Sequence, residues 1–136
     1  RKMTGWHCGV TKPVIAAVNG TCAGGGLHFV ADADVVVAGE RATFLDPHVS
    51  VGQVSAFEKI GLLKKAPAES VFRMALVGRE ERLDARRAHQ LGIVGEVVPD
   101  DGLRDRAQAI GEAIAAQPSG RVSAARTAAW SRLEQP

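Results

Sequence analysis

The segment with the most evident chemical potential is a glycine-rich turn at residues 19–28, with the sequence NGTCAGGGLH. A phosphate-binding loop needs a lysine and then a hydroxyl residue directly after its last glycine, and this chain has Leu27 and His28 there. A dinucleotide-binding fingerprint needs the spacing GxGxxG, which the four glycines of the turn do not have. The spacing therefore argues against both kinds of nucleotide-binding loop.

A third use of the turn fits its sequence. Three consecutive glycines, Gly24–Gly26, allow the backbone to approach a ligand closely. If a helix begins there, its first N–H groups point outward and can hold a carbonyl oxygen that gains negative charge, as in an oxyanion hole. The alternative is close packing of a helix on a strand, without any ligand. Spacing alone leaves both interpretations open.

The elements around the turn predict an α/β fold. Pro13–Val18 is a short apolar run rich in β-branched residues, which indicates a strand buried on both faces. We expect a helix at Leu27–Ala31, a second buried strand at Asp34–Gly39 and a short third strand at Ala42–Leu45. Strand, turn, helix and strand in this order predict a right-handed crossover between parallel strands.

After residue 54, apolar residues recur every three or four positions, which predicts a series of helices. We expect residues 1–80 to form the α/β core and residues 81–136 to form a helical region used in oligomerisation. The predicted elements are helices at Val54–Leu63, Ala68–Leu76 and Ala85–Leu91, a strand or extended link at Val94–Pro99, a helix from Asp100 with the apolar stripe Leu103, Ala107, Ile110 and Ile114, and a helix at Val122–Leu133.

The overall composition is that of a globular protein. The chain has 136 residues, of which 46% are hydrophobic and 24% charged, enough for one domain with a real core. The net charge is +2 with interleaved signs, and only 4% of residues are aromatic, so we expect no nucleic-acid partner. The chain opens on Arg1 and ends on Pro136 without natural start or stop features, so we expect a segment of a longer protein.

Neither a membrane nor a metal is expected. The longest apolar stretches run about five to seven residues, too short to span a bilayer, and no signal segment opens the chain. Cys8 and Cys22 form neither a disulfide scaffold nor a zinc spacing, and we expect idle thiols in a reducing, cytoplasmic compartment.

Seven motifs, in order and at matching separations between residues 12 and 100, resemble the crotonase superfamily, the enoyl-CoA hydratase/isomerase family. They are KPVIAAVNG at 12–20, AGGG at 23–26, ADADV at 31–35, ATF at 42–44, LVGR at 76–79, AHQLGIV at 88–94 and VVPD at 97–100. The resemblance implies a partial ββα spiral core, assembled as homotrimers or homohexamers, that binds acyl-CoA thioesters. It covers the later part of the family core.

The resemblance also implies how the site works. Two backbone N–H groups would hold the thioester oxygen and stabilise an enolate, with Gly25 as one donor and the other upstream of this chain. The substrate would lie against Ala23, Gly24, Gly25, Gly26, Pro47, His48 and Val51. No metal or separate cofactor is expected, since coenzyme A enters as part of the substrate.

The chain departs from the family at both acid/base positions. Hydratases of the family use two glutamates, and this chain has His28 and His48 there. His28 lies three residues after Gly25, about one helical turn, and so on the same helix face. An imidazole has a reference pKa of about 6.5, so one histidine could act as base and the other as acid, with Asp46 orienting an imidazole.

This replacement weighs against ordinary two-glutamate hydration and leaves three alternatives. The protein could stabilise an enolate in another family reaction, it could be an acyl-CoA hydrolase or decarboxylase, or it could be a non-catalytic acyl-CoA-binding or assembly subunit. His7 and His89 occupy no motif position. Lys64 and Lys65 could meet coenzyme A phosphates, but a solvated basic pair is the preferred interpretation.

Overall fold

The computed structural model describes residues 3–54 and 56–134, which form six β-strands, six α-helices and three short 3₁₀ turns. The strands are β1 (Ile15–Val18), β2 (Thr21–Ala23), β3 (Val35–Gly39), β4 (Thr43–Leu45), β5 (Leu83–Asp84) and β6 (Glu96–Val98). The helices are α1 (Gly26–Ala31), α2 (Phe57–Leu62), α3 (Ala68–Val77), α4 (Ala85–Leu91), α5 (Leu103–Ala115) and α6 (Ser119–Leu133).

The first sheet has the order β1–β3–β6, and all its strands are parallel. Ile15 pairs with Val35 and Val18 pairs with Ala38, so the two apolar runs lie side by side in the sheet. The predicted strand–helix–strand crossover through α1 is confirmed, and Val94–Pro99 contributes β6. The α/β class follows from these β-branched runs, because buried parallel strands need helices to cover them.

A second sheet has the order β2–β4–β5, which the sequence interpretation missed. Thr21–Ala23, taken as part of the glycine turn, is a strand that pairs in parallel with Thr43–Leu45. Three residues are too few to show an alternating pattern, and their pairing partner lies about twenty residues further along the chain. The strand therefore exists because of a tertiary contact that local sequence does not report.

Two predicted helix starts were wrong. Helix α2 begins at Phe57, whereas Val54 lies outside any helix or strand and is 93% exposed. Helix α6 begins at Ser119, directly after Pro118, one turn earlier than predicted. The end of α4 was predicted correctly: Gly92 caps it with φ of +90°, a left-handed conformation that glycine adopts without strain.

The core lies between the sheets and helices α1–α4, and its largest fully buried side chains include Phe44, Leu27 and Leu62. Helices α1 and α2 pack closely. A methyl group added at Gly61 would lie only 2.8 Å from the Cβ of Ala31, so only glycine fits there. Leu103 of the predicted α5 stripe is buried, and α5 packs against β1 and β3. These contacts fix how α1 and α2 face each other, and both carry site residues.

Candidate active site

The glycine turn brings the backbone against the ring of His48. Gly24 has φ of +54°, and a Cβ at this position would lie 3.4 Å from His48 Cε1. Its N–H donates to the carbonyl oxygen of Leu45, which ties the turn to β4. Gly25 is the N-cap of α1, is exposed, and would place a Cβ in open space. The exposed Gly25 backbone therefore lies in the lining of the same pocket as the His48 imidazole.

His28 projects from α1, one turn after Gly25. Its side chain is 14% exposed, and Nε2 lies 3.1 Å from Oε1 of Glu58. An ionised carboxylate can only accept hydrogen bonds, so the proton of a neutral His28 is assigned to Nε2. This assignment leaves Nδ1 as the acceptor nitrogen of the His28 ring.

Asp46 holds the imidazole of His48 at its Nδ1 atom. The Nδ1 of His48 lies 2.6 Å from Asp46 Oδ1, which also accepts the backbone N–H of His48 at 3.2 Å. The Asp46 side chain is 3% exposed and directly follows β4, so the sheet fixes its position. By the same reasoning His48 carries its proton on Nδ1, and Nε2, beside Gly24, becomes the proton acceptor.

Glu58 is the functional candidate that the sequence interpretation missed. It lies in the first turn of α2, its side chain is 8% exposed, and Oε1 is 4.0 Å from His48 Nε2 as well as 3.1 Å from His28 Nε2. An acidic residue in the first turn of a helix normally faces solvent, where its negative charge interacts favourably with the helix dipole. The sequence therefore gave no local sign that this carboxylate turns inward between two imidazoles.

These groups face a common open pocket of about 600 Å³. Its polar lining comprises Gly25, His28, His48, Gln53 and Glu58, and Met3 and Phe57 supply apolar surface. A second pocket of about 390 Å³ adjoins it, since the two share Met3, His28 and Phe57. The three residues predicted to be catalytic thus line one pocket.

The other predicted substrate-binding residues surround the glycine turn. Ala23 ends β2, and Gly26 opens α1 with its Cβ position 3.4 Å from Cys22 Sγ. Pro47 Cδ lies 3.9 Å from the Cβ position of Gly24. Val51 is 60% exposed in a 3₁₀ turn. The pocket wall formed by the described residues includes none of Ala23, Gly24, Gly26, Pro47 and Val51. Their contacts with substrate stay predictions.

Cys22, which lies behind the turn, is not suited to be a nucleophile. Burial raises the pKa of its thiol to about 11, because a thiolate would lose its hydration there. The thiol is therefore protonated at neutral pH, and its role is packing against Gly26. Cys8, by contrast, is exposed.

The preferred interpretation of Lys64 and Lys65 as a solvated pair was wrong. Lys65 Nζ donates to the carbonyl oxygens of Val30 and Ala33, both at 2.8 Å, at the C-terminal end of α1. Burial lowers the pKa of Lys65 to about 8, although Asp34 and Asp32 oppose this shift.

Lys64 is 15% exposed, binds Glu134 and lies 5.1 Å from the centre of the Trp130 ring. Its hydrogen bond holds the pKa of Glu134 below the usual range. Together with Lys65 it anchors helices, because both ammonium groups are already bound to the protein.

The remaining histidines have structural contacts. His7 lies in the second pocket, with Nδ1 3.5 Å from Asp32 and Nε2 3.4 Å from Glu134. His89 is exposed and its Nδ1 lies 2.9 Å from the carbonyl oxygen of Val94.

Across residues 3–54 and 56–134, no group of three or more His, Cys, Asp or Glu side chains could hold a metal ion. In the same ranges, no helix has the length and apolar character to cross a membrane.

Comparison with known proteins agrees with the fold. The model of the family described as Enoyl-CoA hydratase/isomerase matches residues 8–136. The crystal structure of an enoyl-CoA hydratase/isomerase from Mycobacterium paratuberculosis superposes with a TM-score of 0.89 at 40% identity, covering 93% of this chain and 50% of that one.

Curated relatives carry several activities in their names. A "(7aS)-7a-methyl-1,5-dioxo-2,3,5,6,7,7a-hexahydro-1H-indene-carboxyl-CoA hydrolase" of Mycobacterium tuberculosis is 37% identical, over 90% of this chain and 47% of its own length. The "1,2-epoxyphenylacetyl-CoA isomerase" of Escherichia coli is 35% identical, over 79% of this chain and 41% of its own length. The chain spans about half the length of the relatives that it matches. With the family model matched over nearly all its residues, the chain belongs to the enoyl-CoA hydratase/isomerase family of the crotonase superfamily.

Proposed function

We propose that this chain forms the oxyanion-hole and acid/base half of an enzyme that acts on an acyl-CoA thioester through an enolate. The observation that carries the proposal is the shared pocket, in which the Gly25 backbone, His28 and His48 face one space. Family membership supplies the substrate class, because the relatives named above act on CoA thioesters.

The Gly25 N–H is the proposed donor to the thioester oxygen. None of the hydrogen bonds among the described residues uses this N–H, and the space beyond Gly25 is open. A backbone donor aimed at an oxygen that gains charge stabilises the enolate without reorganisation, and one such donor contributes about 3 kcal/mol. The second donor would come from outside this chain.

His48 is the proposed base. Asp46 holds its Nδ1–H, so that Nε2 can take a proton from the carbon next to the thioester. His28 is the proposed second acid/base group, since it lies one helical turn from Gly25 in the same pocket. This arrangement supports isomerisation or another enolate reaction of the family.

Acyl-CoA hydrolysis is the second candidate, and one observation favours it. A buried carboxylate that orients an imidazole, next to an oxyanion donor, is the arrangement that activates a nucleophile for attack on a carbonyl. The Asp46–His48 contact of 2.6 Å has this form. One relative is named as a CoA-ester hydrolase.

The test incubates the full-length protein with a panel of acyl-CoA thioesters in heavy water and analyses the products by mass spectrometry. Uptake of deuterium shows enolate formation, added water shows hydration, free coenzyme A shows hydrolysis, and lost carbon dioxide shows decarboxylation. An unchanged panel despite measurable binding would contradict catalysis and make the protein an acyl-CoA-binding subunit.

Assembly and location complete the proposal. A homotrimer or homohexamer is supported by exposed apolar side chains on α3, where Phe72 is 54% and Leu76 is 73% exposed. Native mass spectrometry of the full-length protein would test it. A cytoplasmic location and a role in fatty acid metabolism are retained as expectations, tested by cell fractionation and by growth on fatty acids after gene deletion.

A further inference from the structure

We propose that His48 and Glu58 hold one water molecule between them and that this water is the nucleophile of the reaction. The inference rests on the proposed function for its acyl-CoA substrate, but its residues differ from the pair of histidines proposed there as acid and base. It makes Glu58 a catalytic residue that contacts the attacking water.

The distance between the two groups fits a bridging water. His48 Nε2 and Glu58 Oε1 are 4.0 Å apart, too far for a direct hydrogen bond. For a water oxygen about 2.8 Å from each atom, the angle between the two acceptor atoms at that oxygen would be about 90°, close to the angle between the two O–H bonds of water. Both side chains line the larger pocket, so such a water would have access to a bound ligand.

The hydrogen-bonding roles also fit. Asp46 takes the Nδ1 proton of His48, so Nε2 is an acceptor, and an ionised Glu58 is an acceptor too. Two acceptors bind both protons of one water and leave its oxygen lone pairs directed away from them. A lone pair directed into the pocket is what attack on a substrate carbon requires.

His28 then becomes a positioning residue. Its Nε2–H donates to Glu58 Oε1 at 3.1 Å. This hydrogen bond compensates the lost hydration of a carboxylate whose side chain is only 8% exposed. Removal of an ionised carboxylate from water is costly unless it is hydrogen-bonded. The pocket therefore retains a carboxylate, supplied by α2 and held by the histidine of α1.

The proton balance of the step is simple. The water oxygen forms a bond to an electrophilic carbon of the acyl-CoA, one water proton passes to His48 Nε2, and the displaced electron pair collects on the thioester oxygen near Gly25. In conjugate addition, the imidazolium then returns the proton to the carbon next to the thioester. In hydrolysis, the C–S bond breaks and the proton goes to the coenzyme A sulfur.

The test follows transfer of ¹⁸O from labelled water into product, with full-length protein and the substrate identified from the panel. Glu58→Gln keeps the size of the side chain and one accepting oxygen, but it removes the negative charge, so the water proton is held more weakly. We expect its rate of ¹⁸O incorporation to fall about 10-fold, because a hydrogen bond to a charged acceptor is roughly twice as strong as one to a neutral acceptor. Binding of a non-reactive thioether analogue should be unchanged.

The matched control is Glu69→Gln. Glu69 also lies in the first turn of a helix, α3, but its side chain is 78% exposed. The control makes the same charge change, and its rate of ¹⁸O incorporation should equal that of the parent protein. If Glu58→Gln fails to fold, Glu58→Asp keeps the charge and withdraws the carboxylate from bridging distance, with the same loss expected.

The outcomes separate the two proposals. Deuterium exchange without any ¹⁸O incorporation would overturn the water site and leave the enolate function standing. Equal ¹⁸O rates in Glu58→Gln and the parent protein would also overturn the water site. Absence of both deuterium exchange and ¹⁸O incorporation with every thioester would instead overturn the proposed function.

Discussion

The packing of α1 against α2 gives the sharpest stability prediction, because it holds His28 and Glu58 together. In Gly61→Ala the new methyl carbon would lie 2.8 Å from the Cβ of Ala31. Carbon atoms pack at about 3.5–4.0 Å, so the two helices must separate by about 1 Å.

The magnitude follows from two opposing effects. Overpacking of a buried contact costs about 1–3 kcal/mol, and alanine is a better helix former than glycine by about 0.8–1.0 kcal/mol. We therefore expect the free energy of unfolding to fall by about 1 kcal/mol. Separation of the helices also lengthens the 3.1 Å contact between His28 and Glu58, and a misplacement of about 1 Å can reduce kcat by up to about 100-fold.

Urea denaturation and steady-state kinetics on the full-length protein measure the two effects. Gly111→Ala in α5 is the matched control, because its methyl carbon would make an ordinary contact 3.6 Å from Ile15 Cδ1. This control should gain about 0.5–1 kcal/mol from helix propensity and keep its kcat. The double variant with Gly61→Ala and Ala31→Gly should recover kcat. A Gly61→Ala protein with the parent urea midpoint and kcat would refute the packing argument.

Three further outcomes are expected. Asp46→Asn removes the charged acceptor of the 2.6 Å hydrogen bond to His48, which is worth about 1.5–3 kcal/mol. We therefore expect kcat to fall about 10- to 100-fold with KM little changed. A changed KM with normal kcat would contradict this role. Alkylation by iodoacetamide at pH 8 should modify Cys8 well before Cys22, whose pKa of about 11 should make its rate rise with pH up to that value, as peptide mass spectrometry can follow. Lys65 has a lowered pKa of about 8, so between about pH 8 and 10.5 the unfolded state binds more protons and this residue makes stability rise with pH. The difference in urea midpoint between the parent protein and Lys65→Met should therefore change over that window. A constant difference would contradict the lowered pKa.

The sequence anticipated the parts of the fold that depend on local patterns. The β-branched runs that became β1 and β3, the helix after the glycines, and the stop at Gly92 were all predicted from residue type and spacing. Thr21–Ala23 could not be predicted as a strand, because its pairing with β4 is a long-range contact. Lys65 looked solvated for the same reason, since its carbonyl partners, Val30 and Ala33, lie more than thirty residues earlier, at the end of α1 and just after it.

The candidate site divides in the same way. The sequence already placed Gly25, His28 and His48 in one hypothesis. His28 lies about one helical turn after Gly25, and the family resemblance adds His48. Glu58 depended on tertiary structure. Its direction is decided by the close packing of α2 on α1 at Gly61, which turns a helix-start carboxylate inward to the two imidazoles. Sequence determined which groups could handle protons, and packing across helices decided which of them meet.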